Sequence, residues 1–307
     1  MSTVAIVGSA LNRTNLRLVA EWQALGLQSR LLTGPEARAT LGPDDVALGR
    51  VDVLPTVDGV EPGLLDLLLI ERRGIRVLNR AFGLLAAHDK LRTARLLDAA
   101  GIPHPPTGVV HSPIDPLPVR PPLVVKPRFG SWGVDVHRCA TEHAARDCLR
   151  MLAKRRWFER HGALVQELVA PCHRDLRVLV AGSAVRGAIR RVAAAGEWRT
   201  NVALGGIVEP AAPGESASAL AVAAARALRC DLVAVDLLPV SGGGHVVLEL
   251  NGAADFDKRY AAPGCDVFHD VALALELLPA RGRELPVPTA RAARGSAAPH
   301  RTPVASG

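Results

Sequence analysis

The first part of the chain alternates short apolar runs with segments of helical periodicity. Residues 4–8 form a β-branched run that ends in glycine, and apolar residues recur every three or four positions over residues 15–25. Three further candidate strands and a leucine-rich segment follow, at 29–32, 51–53, 74–78 and 64–70. Because strands that alternate with helices are typical of α/β proteins, the pattern predicts a small doubly wound α/β lobe over residues 1–87.

The next segment combines a helix, a proline-rich connector and a glycine loop. A helix is predicted over residues 88–100, and the eight prolines in residues 103–122 exclude continuous helix there. A strand at 123–127, a glycine loop and a second strand come next, and a helix and another strand complete the segment. These elements predict a second, α+β lobe over residues 88–170.

A third lobe is predicted over residues 171–280. Two apolar runs flank the turn at 181–183 as a hairpin, and an alanine-rich helix is predicted at 218–228. Two further strands, 233–238 and 246–251, carry acidic or amide side chains among apolar neighbours. This lobe is therefore predicted to mix helices and strands, with polar groups placed inside its sheet.

Composition and charge narrow the classes of function. The formal net charge is +7, but residues 281–307 carry five arginines against one glutamate and show no apolar periodicity. They predict a disordered basic tail, so no nucleic-acid or membrane partner is expected from the charge. Aromatic residues make up 3% of the chain, too few for base-stacking platforms. Five scattered cysteines without a C-x-x-C pair, and an N-terminus without signal-peptide features, favour a cytoplasmic location.

Oxygen-bearing side chains stand in two neighbouring apolar strands of the third lobe. Asp236 lies in one strand, and Glu249 and Asn251, two residues apart, share a face of the next. Mg²⁺ prefers carboxylate and amide oxygens, and a buried carboxylate needs a cation or hydrogen bonds to compensate its charge. The pattern favours a site for Mg²⁺, or for Mn²⁺ in its place, with hydrogen-bonded polar groups at strand ends as the alternative.

A glycine loop separates the first two strands of the second lobe. Lys126 precedes this loop, which includes Gly130, Ser131, Trp132 and Gly133. Glycine lets main-chain N–H groups approach phosphate oxygens closely, and a lysine adds a compact positive charge. The loop is therefore a candidate phosphate site, with an ordinary hairpin loop as the alternative. The sequence has no G-x-x-x-x-G-K-[ST] string, which excludes a P-loop nucleotidase.

Arginines concentrate in the third lobe. Five of them form a cationic series over residues 174–199, namely Arg174, Arg177, Arg190, Arg191 and Arg199. In the predicted hairpin we expect Arg177 and Arg190 to face the same cleft, where guanidinium groups pair bidentately with carboxylate or phosphate. A solvated surface is the alternative. The chain has no G-x-S-x-G, H-E-x-x-H or catalytic cysteine signature, so hydrolases and metalloproteases are not expected.

Nine short motifs follow one another along residues 86–275. They are Asp89-Lys90, Val125-Lys126-Pro127, Gly130-Ser131-Trp132-Gly133, Val165-Gln166-Glu167, Arg174-Asp175-Leu176-Arg177, Ile189-Arg190-Arg191, Thr200-Asn201, Asp236 and Glu249-Leu250-Asn251. In this order they resemble the motifs of the ATP-grasp carboxylate–amine ligases. Within that superfamily the chain is similar to the RimK-type glutamate ligases and to the LysX-type enzymes, which ligate glutamate to an amino group on an acidic carrier protein. The string K-P-x-x-G-S-W-G is particularly like the LysX branch.

The resemblance implies an ATP-grasp fold, in which a small N-terminal α/β lobe precedes two α+β lobes that clamp ATP. It implies that Lys90, Lys126 and the glycine loop contact the phosphates. The other implied nucleotide contacts are Gln166, Glu167 and Leu168 at the adenine, Asp175 at the ribose, and Arg199 and Thr200. Asp236, Glu249 and Asn251 match the family's magnesium ligands. The catalytic candidates are Arg177, Arg190 and Asn201, the two arginines holding the substrate carboxylate or the transferred phosphoryl group.

The reaction that the resemblance implies is amide formation through an acyl phosphate. A carboxylate attacks the γ-phosphate of ATP, and an amine then displaces phosphate. The expected substrates are an amino acid, with glutamate as the favoured one, and an amine on a carrier protein, a peptide or a small molecule. A homo-oligomer is also expected. After Asn251 the RimK-type pattern continues Ser-Pro-Gly, whereas residues 252–258 read G-A-A-D-F-D-K, which leaves the acceptor open. A non-catalytic ATP-binding regulatory module is the alternative hypothesis.

Overall fold

The first lobe is built on a parallel four-stranded sheet. The computed structural model describes residues 2–169 and 173–279, and the strand order of this sheet is β2-β1-β3-β4. Its elements are β1 (Thr3–Gly8), α1 (Arg13–Ala24), β2 (Gln28–Leu32), α2 (Gly34–Thr40), β3 (Val46–Arg50), α3 (Leu64–Arg72) and β4 (Arg76–Leu78). The predicted α/β lobe is present. The strand expected at 51–53 is wrong, because β3 ends at Arg50 and Val53 only forms an isolated bridge with Val60.

Two helices, not one, lead into the central lobe. They are α4 (Ala81–His88) and α5 (Lys90–Ala99). Asp89 separates them, since its side chain accepts hydrogen bonds from the N–H groups of Leu91 and Arg92 and so caps α5. The central sheet has the order β5-β8-β6-β7. Its elements are β5 (Thr107–Val110), β6 (Leu123–Pro127), β7 (His137–Cys139), α6 (Glu142–Leu152), α7 (Arg156–His161) and β8 (Ala163–Glu167).

The third lobe contains an antiparallel five-stranded sheet in the order β11-β10-β9-β12-β13. Its elements are β9 (Arg174–Ala181), β10 (Ala184–Val192), β11 (Ile207–Pro210), α8 (Glu215–Ala227), β12 (Leu232–Pro239), β13 (His245–Asn251) and α9 (Val267–Ala274), with short 3₁₀ turns at Val202–Leu204 and Lys258–Tyr260. The predicted hairpin and alanine-rich helix are confirmed as β9–β10 and α8. The tail predicted at 281–307 lies outside the described residues. In the described part of the chain, no helix is long and apolar enough to cross a bilayer.

The hydrophobic cores divide the three lobes into two bodies. The first and third lobes share a core in which Leu48 and Trp22 pack with Leu179 and Phe268, and the indole of Trp22 donates to the carbonyl of Phe268 at 3.1 Å. The central lobe has a separate core, centred on β6, β8, α6 and α7. Among the described buried residues of this core, all but Val57 of the first lobe belong to the central lobe, so the central lobe is packed largely as a unit of its own and can move against the other two.

Candidate active site

A cleft of about 840 Å³ lies where the three lobes meet. The central lobe contributes β6, the glycine loop and the end of β8, and the third lobe contributes β9, β10 and β13. The start of α1 and residues 52–61 of the first lobe close one end. This volume is in the range of about 300–1,000 Å³ that is typical of small-molecule sites. All the site residues predicted from the sequence line the cleft except Arg190 and Asp236.

Lys126 is a buried cation inside the cleft. It is 5% exposed, and its Nζ donates to Oε1 of Gln166 at 2.8 Å. The amide of Gln166 is fixed in turn, because its Nε2 donates to Oγ1 of Thr107 at 2.8 Å. Burial disfavours the charged amine and lowers the pKa of Lys126 to about 8. The cleft therefore contains a positioned ammonium group whose charge can change close to neutral pH.

A second lysine joins the glycine loop to the third lobe. Lys90 opens α5, and its Nζ donates to the carbonyl of Gly130 at 2.5 Å and lies 3.3 Å from Oε2 of Glu249. The neighbouring Asp89 accepts two hydrogen bonds from Arg128, at 2.7 and 2.6 Å. These contacts hold the start of the glycine loop against the N-terminus of α5.

The glycine loop has a geometry that only glycine accommodates at one position. Gly133 has a φ of 74°, and a Cβ there would lie 3.0 Å from Oδ1 of Asn201. Arg199 donates from Nη1 to the carbonyl of Gly133 at 3.0 Å. Arg199 therefore holds the loop at the cleft wall, and the lack of a Cβ at Gly133 lets the loop lie close to Asn201.

The end of β8 lies at the opposite wall, where the resemblance implies an adenine. The side chain of Glu167 is exposed, and Leu168 follows it in the cleft lining. Their main-chain N–H groups donate to the carbonyls of Pro106 and Pro122, at 2.9 and 3.2 Å. The proline-rich connector therefore fixes this strand end in place.

Asp236 is bound by arginines and is not open to the cleft. Nε and Nη2 of Arg177 donate to its two oxygens at 2.6 and 2.7 Å, and Nη2 of Arg191 donates at 2.8 Å. Burial by itself raises the pKa of this 1%-exposed carboxyl, but the two guanidinium groups hold the pKa well below its usual range. In this structure the carboxylate of Asp236 anchors an arginine pair, and its role as a metal ligand stays a prediction.

The hairpin places Arg191, and not Arg190, beside Arg177. Arg177 lies opposite Ile189 in the β9–β10 register, so the same-face neighbour two residues further along β10 is Arg191. Arg190 points to the other face, where its half-exposed side chain lies 3.5 Å from Oε2 of Glu209. The prediction that Arg190 faces the cleft is wrong, and Arg191 is the residue that sequence reasoning missed. The strand period of two identifies Arg191 only once the β9–β10 register is known.

The carboxylate of Asp175 is paired with Arg191 and Thr200. Arg191 donates to both of its oxygens, at 2.8 and 2.5 Å, and Oγ1 of Thr200 donates to Oδ2 at 2.5 Å. The side chain of Asp175 is 1% exposed. In this structure Asp175 therefore positions Arg191 and Thr200, and the implied ribose contact stays a prediction.

Glu249 and Asn251 present oxygens to the cleft. They lie two residues apart on β13, and Glu249 lies directly opposite Asp236 in the neighbouring strand. Burial raises the pKa of Glu249, but the positive charges of Lys90, Lys126 and Arg177 together outweigh it, so the carboxyl pKa is lowered overall. Within residues 2–169 and 173–279, no group of three or more His, Cys, Asp or Glu is arranged to hold a metal ion. One carboxylate and one amide oxygen still fit a hard cation that takes its other ligands from phosphate and water.

Three lobes around a cleft that combines lysines, arginines and a carboxylate–amide pair define an ATP-grasp ligase. Residues 87–275 match the model of the RimK-like ATP-grasp domain, and the chain belongs to that family. It is an enzyme, a ligase of the ADP-forming type.

The comparisons with known proteins agree with this family. The chain is 33% identical over 229 residues to a probable α-L-glutamate ligase of Enterobacter sp. strain 638. The aligned region covers 70% of this chain and 75% of that relative. The same identity and shares hold for the ribosomal protein bS6–L-glutamate ligase of Salmonella paratyphi B. The crystal structure of D-cycloserine synthetase DcsG has a similar fold, with a TM-score of 0.66 at 21% identity over 90% of this chain and 100% of that one.

The lowered pKa of Lys126 predicts that ATP binding weakens in alkali. The ammonium is charged below its pKa of about 8 and neutral above it, so the dissociation constant should rise about tenfold from pH 7 to pH 9. An ordinary lysine, with a pKa of about 10.4, would keep its charge over this range. Titration calorimetry measures the constant, and Lys126→Arg, which stays charged, is the control expected to flatten the profile. A pH-independent constant for the unmodified protein contradicts the prediction.

Proposed function

We propose that the protein joins a carboxylate to an amine through an acyl phosphate, coupled to conversion of ATP to ADP and phosphate. The observation that supports this most directly is one cleft lined by Lys126 from the central lobe, by Lys90 at the start of α5, and by Arg177, Arg191 and Glu249 from the third lobe. Such a site supplies position and charge, which are the main needs of phosphoryl transfer. It needs no covalent nucleophile, and the sequence offered none.

The central lobe binds the phosphates in this proposal. Lys126 and Lys90 place two ammonium groups at the cleft, and the glycine loop brings its main chain to the same region. Gly133 allows the close approach because it carries no Cβ. The end of β8, at Glu167 and Leu168, then receives the adenine.

Glu249 and Asn251 hold the divalent cation. Mg²⁺ bound there would neutralise the charge that develops on the transferred phosphoryl group. Lys90, 3.3 Å from Glu249, keeps the carboxylate ionised and aimed at the cleft. The site therefore distributes positive charge on both sides of the phosphates.

Arg177 and Arg191 hold the carboxylate that is to be activated. The ion pairs with Asp236 and Asp175 use the Nε and Nη2 groups of the arginines, so that both Nη1 groups remain for a substrate anion. Because these carboxylates fix the guanidinium groups beforehand, no reorganisation is needed when the carboxylate attacks the γ-phosphate. An amine then displaces phosphate from the acyl phosphate and leaves the amide.

The relatives suggest the substrates. One is named as a ligase of L-glutamate and ribosomal protein bS6, and another as an α-L-glutamate ligase. We therefore propose glutamate as one of the two substrates and a protein or peptide as the other. Mg²⁺ and ATP complete the reaction mixture.

The products test this function. The purified protein is incubated with ATP, Mg²⁺ and a mixture of amino acids, with and without short acidic peptides, and the products are analysed by mass spectrometry. ADP, phosphate and a new amide mass are expected, and chelation of Mg²⁺ should stop their formation. AMP with pyrophosphate, or no nucleotide conversion with any substrate, contradicts the proposal.

A pair of neighbouring arginines offers a matched test of the catalytic assignment. Arg191→Lys replaces a bidentate guanidinium in the cleft by a point charge and should lower the rate about hundredfold. Arg190→Lys changes the adjacent residue, which points away from the cleft, and should leave the rate within about twofold. Steady-state phosphate release measures both. Equal rates for the two variants would remove Arg191 from the site.

A further inference from the structure

Residues 52–61, here called the strap, cross from the first lobe to the central lobe. They connect β3 to α3. The N–H of Glu61 donates to the carbonyl of Asp52 at 2.7 Å, and Val53 and Val60 form a β-bridge. The strap is thus a built hairpin whose base, at Asp52 and Glu61, lines the cleft.

The tip of the strap is inserted into the core of the central lobe. Val57 is 3% exposed and packs in the cluster that contains Leu123 and Trp157. Among the described buried residues of that cluster, Val57 alone comes from outside residues 107–167. Its φ of 52° lies in a region that β-branched residues avoid, so tertiary packing holds the tip in its conformation.

The carboxylate of Asp58 fastens this tip to α7. Its side chain is 5% exposed, and Oδ2 lies 3.0 Å from Nη1 of Arg160 and 3.5 Å from Nε of Arg156. The main-chain oxygen of Asp58 lies 2.8 Å from Nε2 of His161. One residue of the first lobe therefore contacts three side chains of a single helix of the central lobe.

Other contacts between the two bodies run through the glycine loop. Arg128 pairs with Asp89, the carbonyl of Gly130 accepts from Lys90, and the carbonyl of Gly133 accepts from the third lobe. These groups belong to the loop that is proposed to close over phosphate. The strap lies outside that loop, so it can hold the central lobe in place independently of bound nucleotide.

We propose that Asp58 is a positioning residue that holds the central lobe closed over the cleft through Arg160 and Arg156. The inference rests on the proposed function, because the closed cleft is the form that binds ATP there. Apart from Val57, the described buried residues of the central core come from the central lobe, so loss of the Asp58 ion pairs leaves Val57 as the remaining strap contact and lets the central lobe open more readily as a unit. The apparent affinity for ATP then falls in proportion to the fraction of molecules that remain closed.

Binding measurements on three variants test the positioning role. Asp58→Asn should raise the dissociation constant of Mg²⁺-ATP about tenfold, and Arg160→Ala should raise it less because the Arg156 pair remains. The double variant should raise the constant no further than Asp58→Asn alone. Glu71→Gln, which breaks the 3.1 Å ion pair with Arg80 inside the first lobe, is the matched control and should change nothing. Charge reversal, Asp58→Arg with Arg160→Asp, should recover most of the affinity that Asp58→Arg alone loses.

A measurement without nucleotide separates this inference from the proposed function. Small-angle X-ray scattering should give a larger radius of gyration for Asp58→Asn than for the unmodified protein and for Glu71→Gln. Urea unfolding should show that the free energy of unfolding of Asp58→Asn stays within about 1 kcal/mol of that of the unmodified protein. If the unmodified protein fails to bind ATP while Asp58→Asn still expands, the proposed function fails and the strap contact stands. If neither the radius nor the ATP constant differs between Asp58→Asn and Glu71→Gln, the positioning role is overturned.

Discussion

A carboxylate that is almost completely buried, Asp236, determines how the cleft can work. In a low-dielectric interior an unpaired charge is unstable, and removing one partner of such a pair costs about 3–5 kcal/mol. The strand register supplies the partners, because Arg177 lies opposite Asp236 in β9–β12 and Arg191, on β10, donates to Oδ2 of the same carboxylate. Asp175 holds Arg191 from its other side. The two guanidinium groups are therefore fixed by the sheet itself before any substrate enters.

The division into two bodies places these fixed arginines on one body and the lysine and glycine loop of the central lobe on the other. The body formed by the first and third lobes carries the arginines, Glu249 and Asn251, and the central body carries Lys126 and the glycine loop. Charges of both signs on separately packed bodies can be brought together around a nucleotide and separated again for product release. A rigid single core with the same residues would lack that freedom. In this account packing determines what can move, and the buried ion pairs determine what stays fixed.

Local patterns predicted most of the elements and the residue types of the site, because strand and helix periodicity and glycine positions are local properties. The face of the strand on which each side chain lies was harder to predict, because a shift of one residue in register reverses the two faces. Without the β9–β10 register, the sequence could not show which of Arg190 and Arg191 faces the cleft. The same limit applied to Asp236, whose polar character was noticed but whose arginine partner is 59 positions away. The strap gave no signal, since Asp58 meets Arg160 across 102 positions.

The fate of a carboxyl oxygen tests the central claim, that the cleft activates a carboxylate by phosphoryl transfer. The substrate carboxyl is labelled with oxygen-18, and the phosphate released during amide formation is analysed by mass spectrometry. An acyl phosphate leaves one labelled oxygen on the phosphate, so we expect one label for each amide formed. Unlabelled phosphate, formed together with the amide, would contradict the account.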